Sequence, residues 1–210
     1  MEYISSDTNI WIDFVTIDKL DLPFRLPCTY LLSDLTMEDE VLRPESLSND
    51  LVELGLEIVE VTTEIFKEAD HLAEKYRHTS LYDCIALSIA KTKKCTLLTG
   101  DKNLRKAAQE EGVAIIGTLG ILDRLQDENL IGKEEYQKCL QKLSDNNGEK
   151  IRLPEEELNK RITDRASYRG YLHKYADSEL IKKEKDAGRL HVLNNREKYT
   201  PEGRAAELKK

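Results

Sequence analysis

No stretch of the 210 residues holds the uninterrupted apolar run, about 18 residues or more, that a membrane-spanning helix requires. The opening residues, MEYISSDTNIW, lack both a basic start and an apolar signal core, so a cytoplasmic protein is the expectation. Cysteine is scarce. Cys28, Cys84, Cys95 and Cys139 include no C-x-x-C pair, and no histidine stands near them at zinc-ligand spacing. That excludes the common zinc modules and reads as reduced, mostly buried thiols. Internal repeats and low-complexity tracts are absent as well.

Basic charge is also in short supply. Lys and Arg number 32 against 40 Asp and Glu, a net charge of -8 at pH 7, which argues against loose electrostatic binding of nucleic acid by the chain as a whole. The charge is unevenly spread. Residues 164–210 hold 12 basic and 8 acidic side chains, leaving 20 basic against 32 acidic in residues 1–163. An acidic body therefore carries a basic tail.

Short aliphatic runs are present and regularly placed. EYISS (2–6), LEIVEV (56–61), CTLLT (95–99) and VAIIG (113–117) read as strands of the near-continuous apolar kind found in parallel sheets. Helical patterns alternate with them. One begins after Asp7 and an earlier one ends at Gly55. Thr63 can cap a helix through about Tyr76, with Ile65, Ala69, Leu72 and Tyr76 on one face. Others span about 81–92, then 102–111 stopping at Gly112, then from Thr118 with Leu122 and Leu125 inward, then 133–143 and 154–162. This order predicts a three-layer α/β/α sandwich around a central parallel sheet, occupying residues 1–163. Residues 164–210 read as a charged helical extension, in which Tyr168, Tyr171 and Tyr175 fall at helical spacing among Arg165, Arg169, His173 and Lys174.

Two strands end on an acid. Asp7 follows YISS and Asp101 follows CTLLTG, and each opens a helix. Asp83 lies in the first turn of the helix that starts near Leu81. Ligands of an open parallel sheet bind beyond the carboxyl ends of its strands, so these acids are expected on one edge. Each has a plain alternative role as a helix cap, and Ser80-Leu81-Tyr82-Asp83 is a candidate capping box. Acids gathered in one crevice, however, repel unless a cation or protons intervene, and oxygen-only donors suit Mg²⁺ or Mn²⁺.

The ordered set S-D-T-N-I-W, an acid-rich helix, L-Y-D-C-I-A-L-S-I-A and L-L-T-G-D resembles the PIN-domain ribonucleases, from about residue 3 to at least Leu125. G-T-L-G-I-L and the helical stretch to Ile162 are similar to one PIN subgroup. The family includes the toxin halves of many bacterial and archaeal toxin–antitoxin pairs. The resemblance implies a metal-dependent endoribonuclease acting through Mg²⁺ (or Mn²⁺) and leaving a 5′-phosphate and a 3′-hydroxyl. It further implies an RNA substrate, a homodimer and, for a toxin, an antitoxin protein as partner. By position Asp7, Asp83 and Asp101 match the first, third and fourth family acids. LTMEDEVL offers Glu38, Asp39 and Glu40 for the second; the family's glutamate before an aliphatic residue selects Glu40, with Glu38 as the other choice. Thr99 and Asn9 match supporting positions, Thr99 as a holder of a metal-bound water or a phosphate oxygen. Lys102 and Arg105 are candidate RNA contacts.

Two other readings are open to the sequence. A catalytically inactive PIN-like module, serving as an RNA binder or scaffold, would lack one of the acids. A phosphoacceptor receiver domain would need adjacent acids after the first strand and a lysine after a late one, and VAIIGTLG lacks that lysine.

Overall fold

The computed structural model describes residues 2–39 and 46–162. Five parallel strands form one sheet: β1 (Glu2–Ser6), β2 (Cys28–Ser33), β3 (Glu57–Val59), β4 (Thr96–Leu98) and β5 (Ile115–Ile116), in spatial order β3-β2-β1-β4-β5. The chain moves outward from β1 through β2 to β3, then crosses to the other side of β1 for β4 and β5. The switch in direction falls between β1 and β4, where a parallel sheet opens its crevice.

Helices connect the strands. They are α1 (Thr8–Thr16), α2 (Asp34–Asp39), α3 (Leu47–Glu53), α4 (Thr63–Lys75), α5 (Leu81–Lys93), α6 (Lys102–Glu110), α7 (Thr118–Asp127) and α8 (Lys133–Asp145). The strand register sorts their partners. Ser5 lies beside Leu31 and Leu97, on the face where α4, α5 and α6 bury Ile65, Leu72, Ile85, Ile89 and Leu104. Ser5 Oγ donates to the Ala86 carbonyl at 2.8 Å, so small residues let α5 approach β1 closely. Ile4 lies beside Tyr30 and Thr96 on the opposite face. There Trp11 of α1 stacks on Phe24 and meets Tyr30 edge-on, each at 5.3 Å between ring centres. Two covered faces give the expected three layers.

The structure departs from the sequence reading in local ways. The strand β2 was not anticipated: only Tyr30–Leu32 of its six residues form an apolar run, after Pro27. The strand expected at 56–61 shortens to three residues at the sheet edge, where Ile58 is exposed. The cap of α4 is Thr62, not Thr63, because its hydroxyl receives the Ile65 N–H at 3.3 Å. Gly55 and Gly112 take the left-handed conformation (φ +108° and +71°) that ends α3 and α6 as expected. All four cysteines are free thiols.

The first of the chain's two units, Met1–Glu155, holds the sheet. Residues 155–162 are helical. The basic tail 164–210 and its tyrosines lie outside the described residues, as does Glu40. Among the described residues no helix is long and apolar enough to cross a membrane.

Candidate active site

The carboxyl ends of β1 and β4 meet at the switch point. The Asp7 N–H donates to the Leu98 carbonyl at 3.0 Å, which sets the first acid directly beside the end of β4. Ser6 braces the approach: its hydroxyl donates to the Leu31 carbonyl at 3.0 Å and accepts the Trp11 indole N–H at 3.2 Å.

All three aspartates do cap helices. Asp7 is the N-cap of α1 and receives the Asn9 N–H at 3.4 Å. Asp101 is the N-cap of α6 and receives the Asn103 and Leu104 N–H groups, both on Oδ1 at 2.8 Å. Asp83 closes a capping box with Ser80: the Ser80 N–H donates to its Oδ2 at 2.9 Å, and its own N–H donates to Ser80 Oγ at 3.0 Å. The capping and the ligand readings are therefore compatible, since Asp101 and Asp83 each use one carboxylate oxygen for the cap.

Electrostatics join the three. Asp7 is only 5% exposed, and its carboxyl is pushed up to about 6, first by burial and then by repulsion from Asp83; Thr99 and Asn9 pull the other way. Asp83 is also raised, by burial and by Asp101, against the pull of Ser80. Among the described residues no Lys, Arg or His forms an ion pair with any of the three. Oxygen-only donors in which Asp83 raises Asp7 and Asp101 raises Asp83, with no ion-pairing cation among the described residues, are of the chemistry that suits a hard dication. The cage is not complete in the described residues: no three His, Cys, Asp or Glu side chains there form a group that could hold a metal ion. Asp7 is coupled to Asp83, and Asp83 to Asp101, as pairs.

Thr99 ties Asp7 to Asp101. It is fully buried, its Oγ1 donates to Asp7 Oδ2 at 3.0 Å, and it accepts the Asp101 N–H at 3.0 Å. Its proton is thus committed to Asp7. In this arrangement Thr99 positions the two acids. Asn9 does support Asp7, its Nδ2 lying 3.5 Å from Oδ2.

A PIN-domain family model matches residues 3–167. The chain belongs to the PIN-domain family. PIN domains as a class are divalent-metal-dependent nucleases that act on RNA. Among curated proteins no significant match is found. In this PIN domain Asp7 and Asp101 follow the ends of β1 and β4, and Asp83 lies in the first turn of α5.

The remaining candidates fall around that edge. Glu38 and Asp39 are exposed at the end of α2, and Tyr82, next to Asp83, donates to Asp39 Oδ2 at 2.6 Å. Lys102 is exposed, as an RNA contact needs. Arg105 instead turns inward, its Nη1 donating to the Thr99 carbonyl at 3.1 Å. Gly117 makes room for it, because a Cβ there would lie 3.2 Å from Nη1 and 3.5 Å from the same carbonyl. Sequence reasoning missed this packing and also Asp13, a buried acid of α1 that accepts from the Thr118 hydroxyl.

Proposed function

We propose that this PIN domain is an endoribonuclease that uses Mg²⁺ or Mn²⁺ held by Asp7, Asp83 and Asp101, with Glu40 as the fourth acid. The observation that carries the reading is the repulsion that the half-buried Asp83 exerts on the buried Asp7, and Asp101 on Asp83, at the switch point, with no ion-pairing cation among the described residues. Tyr82, beside Asp83, holds Asp39, the residue before Glu40, which supports the choice of a second acid from this stretch. A dication bound there supplies Lewis-acid polarisation of the phosphodiester and acidification of an attacking water.

The chain's own groups have distinct tasks. Thr99 and Asn9 fix the Asp7 carboxylate and favour its charged form. Ser80 holds one oxygen of Asp83, and the first turn of α6 holds one oxygen of Asp101, so neither cap uses the other oxygen. The amino ends of α1, α5 and α6 open at or beside these acids and favour negative charge there. Arg105 locks the strand end through the Thr99 carbonyl and acts as a positioning residue.

The test is RNA cleavage by the full chain with Mg²⁺, with Mn²⁺ and with chelator. Cleavage is expected only with metal, and Asp7→Asn, Asp83→Asn or Asp101→Asn should lower it by about a hundredfold or more, as loss of a main electrostatic group does. Metal-independent cleavage would refute the reading. We further propose that the protein acts as a homodimeric toxin restrained by an antitoxin protein. Induced expression should then arrest growth and create new RNA ends, and Asp83→Asn should abolish both.

A further inference from the structure

A cleft of about 550 Å³ opens beside the acidic edge, between the loop that joins α4 to α5 and the outer face of α6. Tyr76, Arg77, His78, Asn103, Lys106 and Glu110 line it. We infer that this cleft holds the sugar–phosphate backbone of single-stranded RNA next to the bond being cut.

Three observations support the assignment, which rests on the nuclease reading above. The first is charge. The body is acidic, yet Arg77 and Lys106 are exposed here and are in no ion pair among the described residues. The nearby Lys75 is by contrast bound to Glu111 at 2.7 Å, Glu111 is also bound by Lys91, and Lys91 also by Glu68, so two lysines meet two glutamates and that network is already neutralised. Unpartnered cations in an acidic protein attract a polyanion locally, and phosphates are bound through such contacts.

The second is continuity with the acids. Asn103 donates its backbone N–H to Asp101 and its side-chain N–H to the His78 carbonyl at 3.1 Å. One residue thus joins the cleft wall to the last acid. On the other side, the loop runs through Thr79 directly into the Ser80–Asp83 capping box. A strand whose scissile phosphate sits at the acids has its neighbouring phosphate beside this wall.

The third is size. A cleft of this volume is in the range that takes a single small ligand, on the order of one or two nucleotides. Single strands also present their phosphates and bases together, which suits a wall of Arg, Lys, His and Asn.

The experiment measures binding of short oligouridylate RNA to the full chain in chelator, where cleavage is off, by fluorescence anisotropy over a range of salt. Arg77→Gln with Lys106→Gln is expected to raise Kd about tenfold and to reduce the slope of log Kd against log salt by about 1.4, the loss of two single-strand phosphate contacts. Lys93→Glu with Lys94→Glu, at the other end of α5, should change Kd less than about twofold, within the spread of a nonspecific charge effect. Both lining residues are exposed, so folding should tolerate the change, and a melting curve checks it. Should the double variant fail to fold, each single variant carries the test, with a slope change of about 0.7.

Unchanged Kd and slope in the variant would overturn the assignment, as would a wild-type protein that does not bind RNA. Labelled poly-glutamate titrated in the same assay is the second arm: loss of its binding in the double variant with RNA binding retained would overturn the assignment in favour of an acidic protein segment. Cleavage with Mg²⁺, measured in parallel, separates the two proposals. RNA held in the cleft but never cut refutes the nuclease and leaves the cleft. RNA cut with unchanged KM by the variant refutes the cleft and leaves the nuclease.

Discussion

Thr99 donates its only hydroxyl proton to Asp7, 3.0 Å away, and so couples the end of β4 to the end of β1 through a side chain with no solvent exposure. The same oxygen accepts from Asp101. A single methyl-for-hydroxyl exchange therefore disturbs two acids at once.

Thr99→Val should lower RNA cleavage at neutral pH by about tenfold or more, since it leaves the half-buried Asp101 N–H without its partner and removes a donor from Asp7. Asp7 should rise beyond its value of about 6, moving the acidic limb of the pH–rate profile to higher pH. Thr99→Ser should restore both. A Val variant with an unshifted profile would show that the hydroxyl only fills space.

Dication binding should raise the melting temperature, because it relieves a repulsion the fold otherwise carries. At a hundredfold excess over Kd the gain is about 2.7 kcal/mol, or about 5 °C or more for a chain of this size. The gain should shrink at pH 5, where protons compete for Asp7, and should shrink at every pH in Asp101→Asn. Chelator should reverse it. Thermal scans at pH 5 and pH 7.5, with and without Mg²⁺, decide the point.

Asp13 offers a separate reading of pH. It is 8% exposed and its carboxyl is pushed up from 3.8 to about 6, by burial, against the pull of the Thr118 hydroxyl. A raised folded-state value means the folded chain holds the proton more tightly than the unfolded chain. The associated stability is complete below about pH 4 and is lost as pH rises through about 6. Asp13→Asn keeps an acceptor for Thr118 without the charge. It should match the wild type near pH 4 and exceed it by about 1–2 kcal/mol at pH 7.5, less than the full linkage value once local relaxation is allowed for. Urea denaturation at the two pH values measures the difference; a pH-independent difference would place the charge cost elsewhere.

Gly117 and Arg105 should behave as one unit. Gly117→Ala sets a methyl 3.2 Å from the guanidinium and should cost about 1 kcal/mol or more as overpacking. It should also reduce cleavage, as Arg105→Gln does, by loosening the Thr99 carbonyl. The double variant should be no worse than the poorer single one, which a double-mutant cycle on cleavage rate reads directly. Additive losses would mean that Arg105 acts on RNA and not through Thr99.

The acids were legible because each stands at a boundary where the sequence changes character. YISS-Asp7 and TLLTG-Asp101 both pass from an apolar run to a helical pattern, and that transition is where a parallel strand ends. The layering followed from strands alternating with helices. β2 was not legible, since its apolar run Tyr30–Leu32 is short and follows closely on Pro27, and its pairing with β1 comes from a residue 26 positions earlier. The inward turn of Arg105 was illegible for a similar reason. An arginine in KNLRKAAQE reads as a solvated helix face, and only the missing Cβ twelve residues later opens the space it fills. Thr62 and Thr63 are alike in sequence, and backbone geometry alone selects the first as the cap.

The crossing from β3 to β4 has a consequence during synthesis. A nascent chain that has emerged only as far as β3 carries Asp7 but neither Asp83 nor Asp101, and β1 still lacks the neighbour that will stand beside it. Completion waits until Thr99 can reach back across 92 positions and α6 can take Asp101 as its cap. The three aspartates are therefore all present only once about half of the 210 residues have been made.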